Sequence, residues 1–384
     1  MRLFLCGDVM TGRGIDQILL SPSEPTLYES YIRNARDYVW LAERHSGTIP
    51  RGVDSGYVWG AALAAIGEYA PHVCLMNLET SVTTHPQPWP EKGIHYRMHP
   101  ANAAVLAAPA MHNSHDAAKA GQRHSNGNPS ARQICYSLAN NHVLDFGREG
   151  LAETLDTLES RGLSCCGAGL SPDDAAAPAR PDGAGTAIFS VGTADSGIPG
   201  EWRAAGRRSG VYRLARLDSE TIRQETGRIA NELSANETGI VSLHWGGNWG
   251  WNISNAERSF AHELVDGAGI SIVHGHSSHH VKGIELYHGA LILYGCGDFI
   301  TDYEGISGHE AYRPDLSLMY FADIDEASRR VIAVRIVPLQ SYRFSLRPVS
   351  TADSNWVERT LNRESEQLGT AVVRTGDGGL CVRQ

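Results

Sequence analysis

The chain has 384 residues, 42% of them hydrophobic and 20% charged, with a formal net charge of -10. That length can bury a large core. The acidity and the lack of any Lys/Arg run exclude a basic stripe, and with it nucleic acid and anionic membrane as partners.

The first strand, Arg2–Cys6, starts at once and ends in Gly7-Asp8. Its apolar run is too short for a secretory signal. A second strand, His72–Met76, leads into Asn77-Leu-Glu79, and a third, Ile134–Leu138, into Asn140-Asn141-His142. Before the third, His112–Arg132 is rich in Ala, Asn, Ser, His and Gly and reads as a loop. A helix over Arg148–Arg161 puts Leu151, Leu155 and Leu158 on one stripe. Ser171–Gly185, rich in Pro, Ala and Asp, is a second loop. Strands follow at Thr186–Ser190, Ile240–His244, Ile270–His274 and Ala290–Tyr294, with a helix Glu257–Val265 that Asp266-Gly-Ala-Gly would stop. After Asp315 the pattern turns to strands, Leu316–Asp323, Val331–Val337 and Phe344–Val349, then a helix near Asn355–Leu368 and a short last strand. This alternation predicts an α/β fold. With no repeat and no convincing linker, residues 1–384 are expected to form one domain, its core about 1–315 and residues 316–384 packed on it. No stretch approaches the roughly 20 apolar residues that span a bilayer. Seven scattered cysteines without CxxC spacing indicate neither a disulfide framework nor a zinc–thiolate site. A cytoplasmic protein is expected.

The informative pattern is a recurrence. Several predicted strands end in a residue able to bind a metal: Asp8, Glu79, Asn140-Asn141-His142, His244, and the run His274-Gly-His276-Ser-Ser-His279-His280. Strand ends in α/β proteins converge on one crevice. Carboxylate, amide oxygen and imidazole together suit zinc, manganese or iron, one or two ions per chain. Each residue alone has a plainer reading: Asp8 as a turn residue, Glu79 as a helix N-terminal charge, Asn140 as a cap, His244 as a hydrogen-bonded core histidine. The 274–280 run is different in kind, since four of the chain's 17 histidines fall within seven residues.

At these positions the chain resembles the CapA family of capsule and poly-γ-glutamate synthesis proteins. The matching pieces are Gly7-Asp-Val-Met-Thr-Gly-Arg13, Asn77-Leu-Glu-Thr80, Lys92-Gly-Ile-His-Tyr-Arg-Met-His-Pro100, Ser137-Leu-Ala-Asn-Asn-His-Val-Leu-Asp-Phe-Gly147, His244-Trp-Gly246, Gly275-His-Ser-Ser-His279 and Tyr294-Gly-Cys-Gly-Asp-Phe299. They occur in the family's order over roughly residues 1–305. The resemblance implies a metallophosphoesterase-like fold, two facing mixed sheets flanked by helices. It also implies metal ligands Asp8, Glu79 (bridging), Asn141, His244, His276 and His279. His142 is left as general acid or substrate anchor. Arg13, Lys92 and Arg97 lie in matching motifs and could hold an anionic group, or be solvated surface charge; Asn140 and His274 are assigned to the substrate side. The wider phosphoesterase family usually has His where this chain has Met10, Asp where it has Glu79, and a last motif one residue shorter. Trp245, Trp249 and Trp251 wall the pocket or pack the core.

Two functions follow as expectations. One is a metal-dependent hydrolase acting on a phosphoester or an amide (γ-glutamyl-type) bond of a small-molecule or peptide-like anionic substrate, with Arg13 and His142 in catalytic roles. The other is a non-catalytic accessory of polymer assembly that binds anionic material. No Gly-x-Ser-x-Gly elbow points to a serine nucleophile.

Overall fold

The computed structural model describes residues 1–111, 132–181, 185–376 and 378–384. Apart from Arg132, the expected 112–132 loop lies outside the described residues.

Mixed α/β architecture is what the chain adopts, with two large sheets. In the first, the parallel strands Arg2–Val9, Val73–Leu78, Gln133–Ser137 and Ser164–Cys166 lie side by side. In the second, Arg213–Leu214, Thr186–Thr193, Thr238–His244, Ile270–His276 and Ala290–Leu293 run parallel, and Ile284–Tyr287 closes the edge antiparallel. Strands buried on both faces read as continuous apolar runs, as in the wholly buried Val73–Leu78.

Between the sheets pack Leu3, Leu5, Val73 and Leu75 from one side and Ile188, Ile240 and Ile272 from the other. On the second sheet the alternate residues Val241, Leu243 and Val273 face outward, against Phe260 and Leu264 of the helix Asn255–Ala268. The inward column therefore reads Ile240, Ser242, His244 on one strand and Ile272, His274, His276 on the next. It is apolar at the start of the sheet and becomes polar at its C-terminal end, where the parallel strands of both sheets finish.

The first strand runs past the expected Cys6 to Val9, through an irregularity. Leu5 pairs with Leu75 but Asp8 pairs with Asn77, so three residues on one strand oppose two on the other. Such a bulge resets the period-two alternation. Phe4 and Cys6 face the helical layer; without the bulge Asp8 would follow them and point away from the second sheet. The Ile270 strand likewise extends to His276, so that histidine stands on the sheet and not in the loop after it.

The segment after Asp315 adds strands to the first sheet: Leu316–Ile324 pairs antiparallel with Arg2–Val9, and Val331–Tyr342 pairs with it in turn. The last helix, Thr351–Ser365, begins earlier than predicted because Ser350 caps it, its Oγ accepting from Asp353 N at 3.1 Å. The second predicted loop contains a short helix, Pro172–Ala176, started by a capping box between Ser171 and Asp174. Among the described residues no helix is long and apolar enough to cross a membrane.

Candidate metal centre

Two rows of residues face each other where the parallel strands end. On the first sheet Asp298, Asp8, Asn77 and Ser137 are neighbours in register. On the second the row is Gly192, His244 and His276. Gly7 makes the first row possible: a Cβ there would lie 1.7 Å from Gly297 O, so only glycine lets the short strand Asp298–Ile300 close on the first strand.

Asn77 Nδ2 donates to Asp8 Oδ1 at 2.8 Å and to Glu79 Oε2 at 3.0 Å, which draws the two carboxyl groups together. His276 Nδ1 stands 3.9 Å from Asp8 Oδ1 and 2.9 Å from His244 Nδ1, while Ser242 Oγ holds His276 Nε2 at 2.9 Å. Directly after His276 the chain turns through Ser277, whose φ of 94° is a left-handed conformation that a serine rarely adopts. The turn brings His279 to the other flank of Asp8, with Nδ1 2.8 Å from Asp298 Oδ1. The donor atoms of Asp8, His244 and His276 lie within 4.8 Å of one another, and so do those of Asp8, His279 and Asp298.

Three carboxyl groups thus share one buried site. Burial, and then the neighbouring Asp298, push Asp8 up to about 7; burial, and then Asp8 and Asp298, push Glu79 well above the usual carboxylate range. Burial holds His244 and His276 well below the usual imidazole value, which keeps them neutral with lone pairs available. Asp8 Oδ2, Asp298 Oδ2, His244 Nε2 and Asn141 Oδ1 are buried without a hydrogen-bond partner. Orphaned acceptors of this kind cost several kcal/mol unless something binds them. The residues present therefore fit a divalent cation, and the N/O donor set is one that zinc, manganese or iron accepts.

His142 reaches the cluster from the adjoining loop. Its Nδ1 donates to Asp145 Oδ2 at 2.6 Å, Lys92 Nζ stands 2.9 Å from the same nitrogen and pairs with Asp145 Oδ1, and its Nε2 lies 3.9 Å from Glu79 Oε1. Burial lowers His142 to about 4, so the ring is neutral with Nε2 bare.

Other expected residues sit elsewhere. Asn140 is spent on the loop itself: its Nδ2 donates to Asn77 Oδ1 and Leu78 O, and its Oδ1 accepts from His142 N and Val143 N. His274 ties the two sheets together, with Nε2 donating to Cys6 O at 2.7 Å and Nδ1 accepting from Ser242 Oγ. The expectation put both on substrate; their ring and amide atoms are already engaged within the protein. Arg13 stands one layer behind the site. It binds Asp302, Glu29 and the Tyr38 hydroxyl, and its guanidinium lies over the rings of Tyr96 and Tyr303. Those rings in turn meet His142 and His279 edge-on. Arg97 donates to the carbonyls of His85 and Glu24 and covers Phe146, away from the cluster. Of the tryptophans, Trp245 is core, its Nε1 donating to Tyr294 O. Trp249 stacks on His309 at 3.7 Å and lies 5.5 Å from His279. Tyr303 and His309 also line a cavity of about 450 Å³.

Two acids escaped the sequence reading of the site. Asp298 had a signal, since Gly297-Asp298 repeats the Gly7-Asp8 dipeptide. Asp145 lies three residues after His142, close enough to bond it within one turn.

The class is thus a mixed α/β protein whose two facing sheets meet at a buried carboxylate–histidine cluster. More narrowly, the chain belongs to the bacterial capsule synthesis protein family PGA_cap, whose pattern matches residues 2–114 and 129–303. That stretch contains every residue of the cluster. A probable polyglutamine synthesis accessory protein of Mycobacterium tuberculosis is 40% identical over 384 residues, covering 99% of this chain and 95% of that protein. The PGA biosynthesis protein CapA of Bacillus subtilis is 30% identical over 165 residues, 43% of this chain and 41% of its own. The capsule biosynthesis protein CapA of Bacillus anthracis is 24% identical over 233 residues, 60% of this chain and 54% of its own.

Proposed function

We propose that this protein is a metal-dependent hydrolase that cleaves a phosphoester or an amide bond of γ-glutamyl type in an anionic, peptide-like or small-molecule substrate. The observation that carries this reading is a pair of buried donor clusters that share Asp8, one with His244 and His276 and one with His279 and Asp298, in which Asp8 Oδ2, Asp298 Oδ2 and His244 Nε2 are unpartnered. Asp8, Glu79, Asn141, His244, His276 and His279 would hold one or two zinc, manganese or iron ions. A bound ion of this kind acidifies a water and polarises the oxygen under attack.

The chain's own residues supply the rest. Asp145 fixes the His142 ring so that its bare Nε2 faces the cluster, where His142 takes a proton from the attacking water and passes it to the leaving group, a contribution of about 10²–10⁴ in rate. Lys92, beside His142, attracts the anionic part of the substrate. Arg13 sets the positions of Tyr96 and Tyr303, which wall the site. Names of the relatives, capsule and PGA biosynthesis, agree with a substrate of poly-γ-glutamate type. Seven unpaired cysteines suit a reducing cytoplasm.

A second reading is a non-catalytic accessory role that keeps the site for binding alone. The Mycobacterium relative's name, an accessory protein, favours it. The two separate on turnover. Metal-loaded wild type, screened against phosphoesters and γ-glutamyl amides, should hydrolyse one of them, and His276→Ala should abolish this while the circular dichroism spectrum stays unchanged. Binding of poly-γ-glutamate without any turnover would leave the accessory reading standing.

A further inference from the structure

We propose that Asp298 is itself a metal ligand, and that with Asp8 and His279 it builds a second ion position that shares Asp8 with the position at His244 and His276. The inference rests on the metal reading above and adds to it a residue and a second site.

Asp298 enters the site by backbone pairing. Its short strand runs parallel to the first, Asp8 opposes Asp298, and Asp8 N donates to Gly297 O at 3.1 Å. Gly7 lets the backbones approach, and Gly297 takes a φ of 75° with the His280–Val281 backbone packed against it. The result is two carboxylates side by side, 0% and 1% exposed. Like charges this close and this dry repel strongly. Each has one oxygen held, Asp8 Oδ1 by Asn77 and Asp298 Oδ1 by His279, and each has Oδ2 bare.

A purely positioning role, in which Asp298 only steadies the His279 ring, accounts for Oδ1 and leaves Oδ2 without a reason. A cation among the three residues accounts for both. His279 is arranged to permit it. Its backbone N–H donates to Asn248 O at 3.0 Å, and its Nε2 meets the Asn248 carboxamide at 3.0 Å. Half a turn of that amide presents its oxygen to an Nε2–H, which frees the Nδ1 lone pair toward Asp8 and Asp298. Asp8, between His276 on one flank and His279 on the other, then bridges both positions.

The test uses the whole chain stripped of metal and reloaded with Mn(II), with ions counted by elemental analysis and seen by electron paramagnetic resonance. Wild type should hold two ions per chain with an exchange-coupled spectrum. Asp298→Asn keeps the shape and the acceptor for His279, and should hold one ion with an isolated six-line signal. The metal-free variant should melt no lower than metal-free wild type, since a buried like charge has gone. Two coupled ions retained in Asp298→Asn would overturn the proposal, as would a single ion in wild type that the substitution leaves in place; either result spares the metal-dependent reading. Wild type that takes up no Mn(II) would overturn both.

Discussion

Two groups of buried carboxylates lie near each other in this protein, and the chain treats them differently. Glu29 and Asp302 close on Arg13, which gives Asp302 two bonds and Glu29 one while stacking on Tyr38. Asp8, Glu79 and Asp298 share a site as dry, yet the cations around it are engaged with other acids: Lys92 pairs with Asp145, and Arg13 with the first group. Where acids serve the fold, the chain brings its own cation. Where three acids face, among the described residues, only the titratable imidazole of His279 as a possible counter-charge, an outside cation has a place to bind, and the burial of incompletely compensated charge is the cost that a function would justify.

Removing the internal cation should have the largest effect. Arg13→Met leaves Glu29 and Asp302 buried and unpaired, and is expected to lower unfolding stability by about 3–5 kcal/mol in a urea titration; adding Asp302→Asn should restore part of it. Next, Asp145→Asn should leave the metal count unchanged and cost about 10²-fold in turnover, because His142 loses its orientation. Asp8→Asn should do the reverse of Arg13→Met. In chelator the variant should be more stable than wild type by about 1–3 kcal/mol, having lost a buried charge, and it should lose the rise in melting temperature that divalent ions give wild type.

The smallest effect belongs to a surface pair. Arg313 grips Asp315 with two bonds, outweighing the upward push of partial burial and holding the acid below the usual carboxylate range. A depressed folded value contributes stability above the unfolded value near 4, and that stability is lost as pH falls through the folded value. Asp315→Asn should therefore cost about 0.5–1 kcal/mol at pH 7, after screening by solvent, and nothing near pH 2. A cost independent of pH would mean that Asp315 acts through its hydrogen bond to Gln340 and not through its charge.

The same contrast shows what the sequence could reveal. Asp8, Glu79, His244, His276 and His279 were visible because each follows or ends an apolar run, and the structure brings them together. The bulge that turns Asp8 inward left no mark in the sequence, since it depends on the register of a neighbouring strand. Asp298 was hidden by the brevity of its strand, Asp298–Ile300, which is too short to show any period. Arg13, Asn140 and His274 looked like ligand-binding groups because a sequence shows that a polar side chain is buried more readily than what it is bonded to. For Arg13 the partners lie 16 and 289 positions away, in Glu29 and Asp302.

Calorimetric titration of metal-free protein with Zn(II) or Mn(II) tests the central claim most directly. Uptake of one or two ions per chain by wild type, lost in Asp8→Ala with the fold intact, is the result expected of a site that leaves its charge open for a cation. No uptake by wild type, or equal uptake by Asp8→Ala, would contradict it.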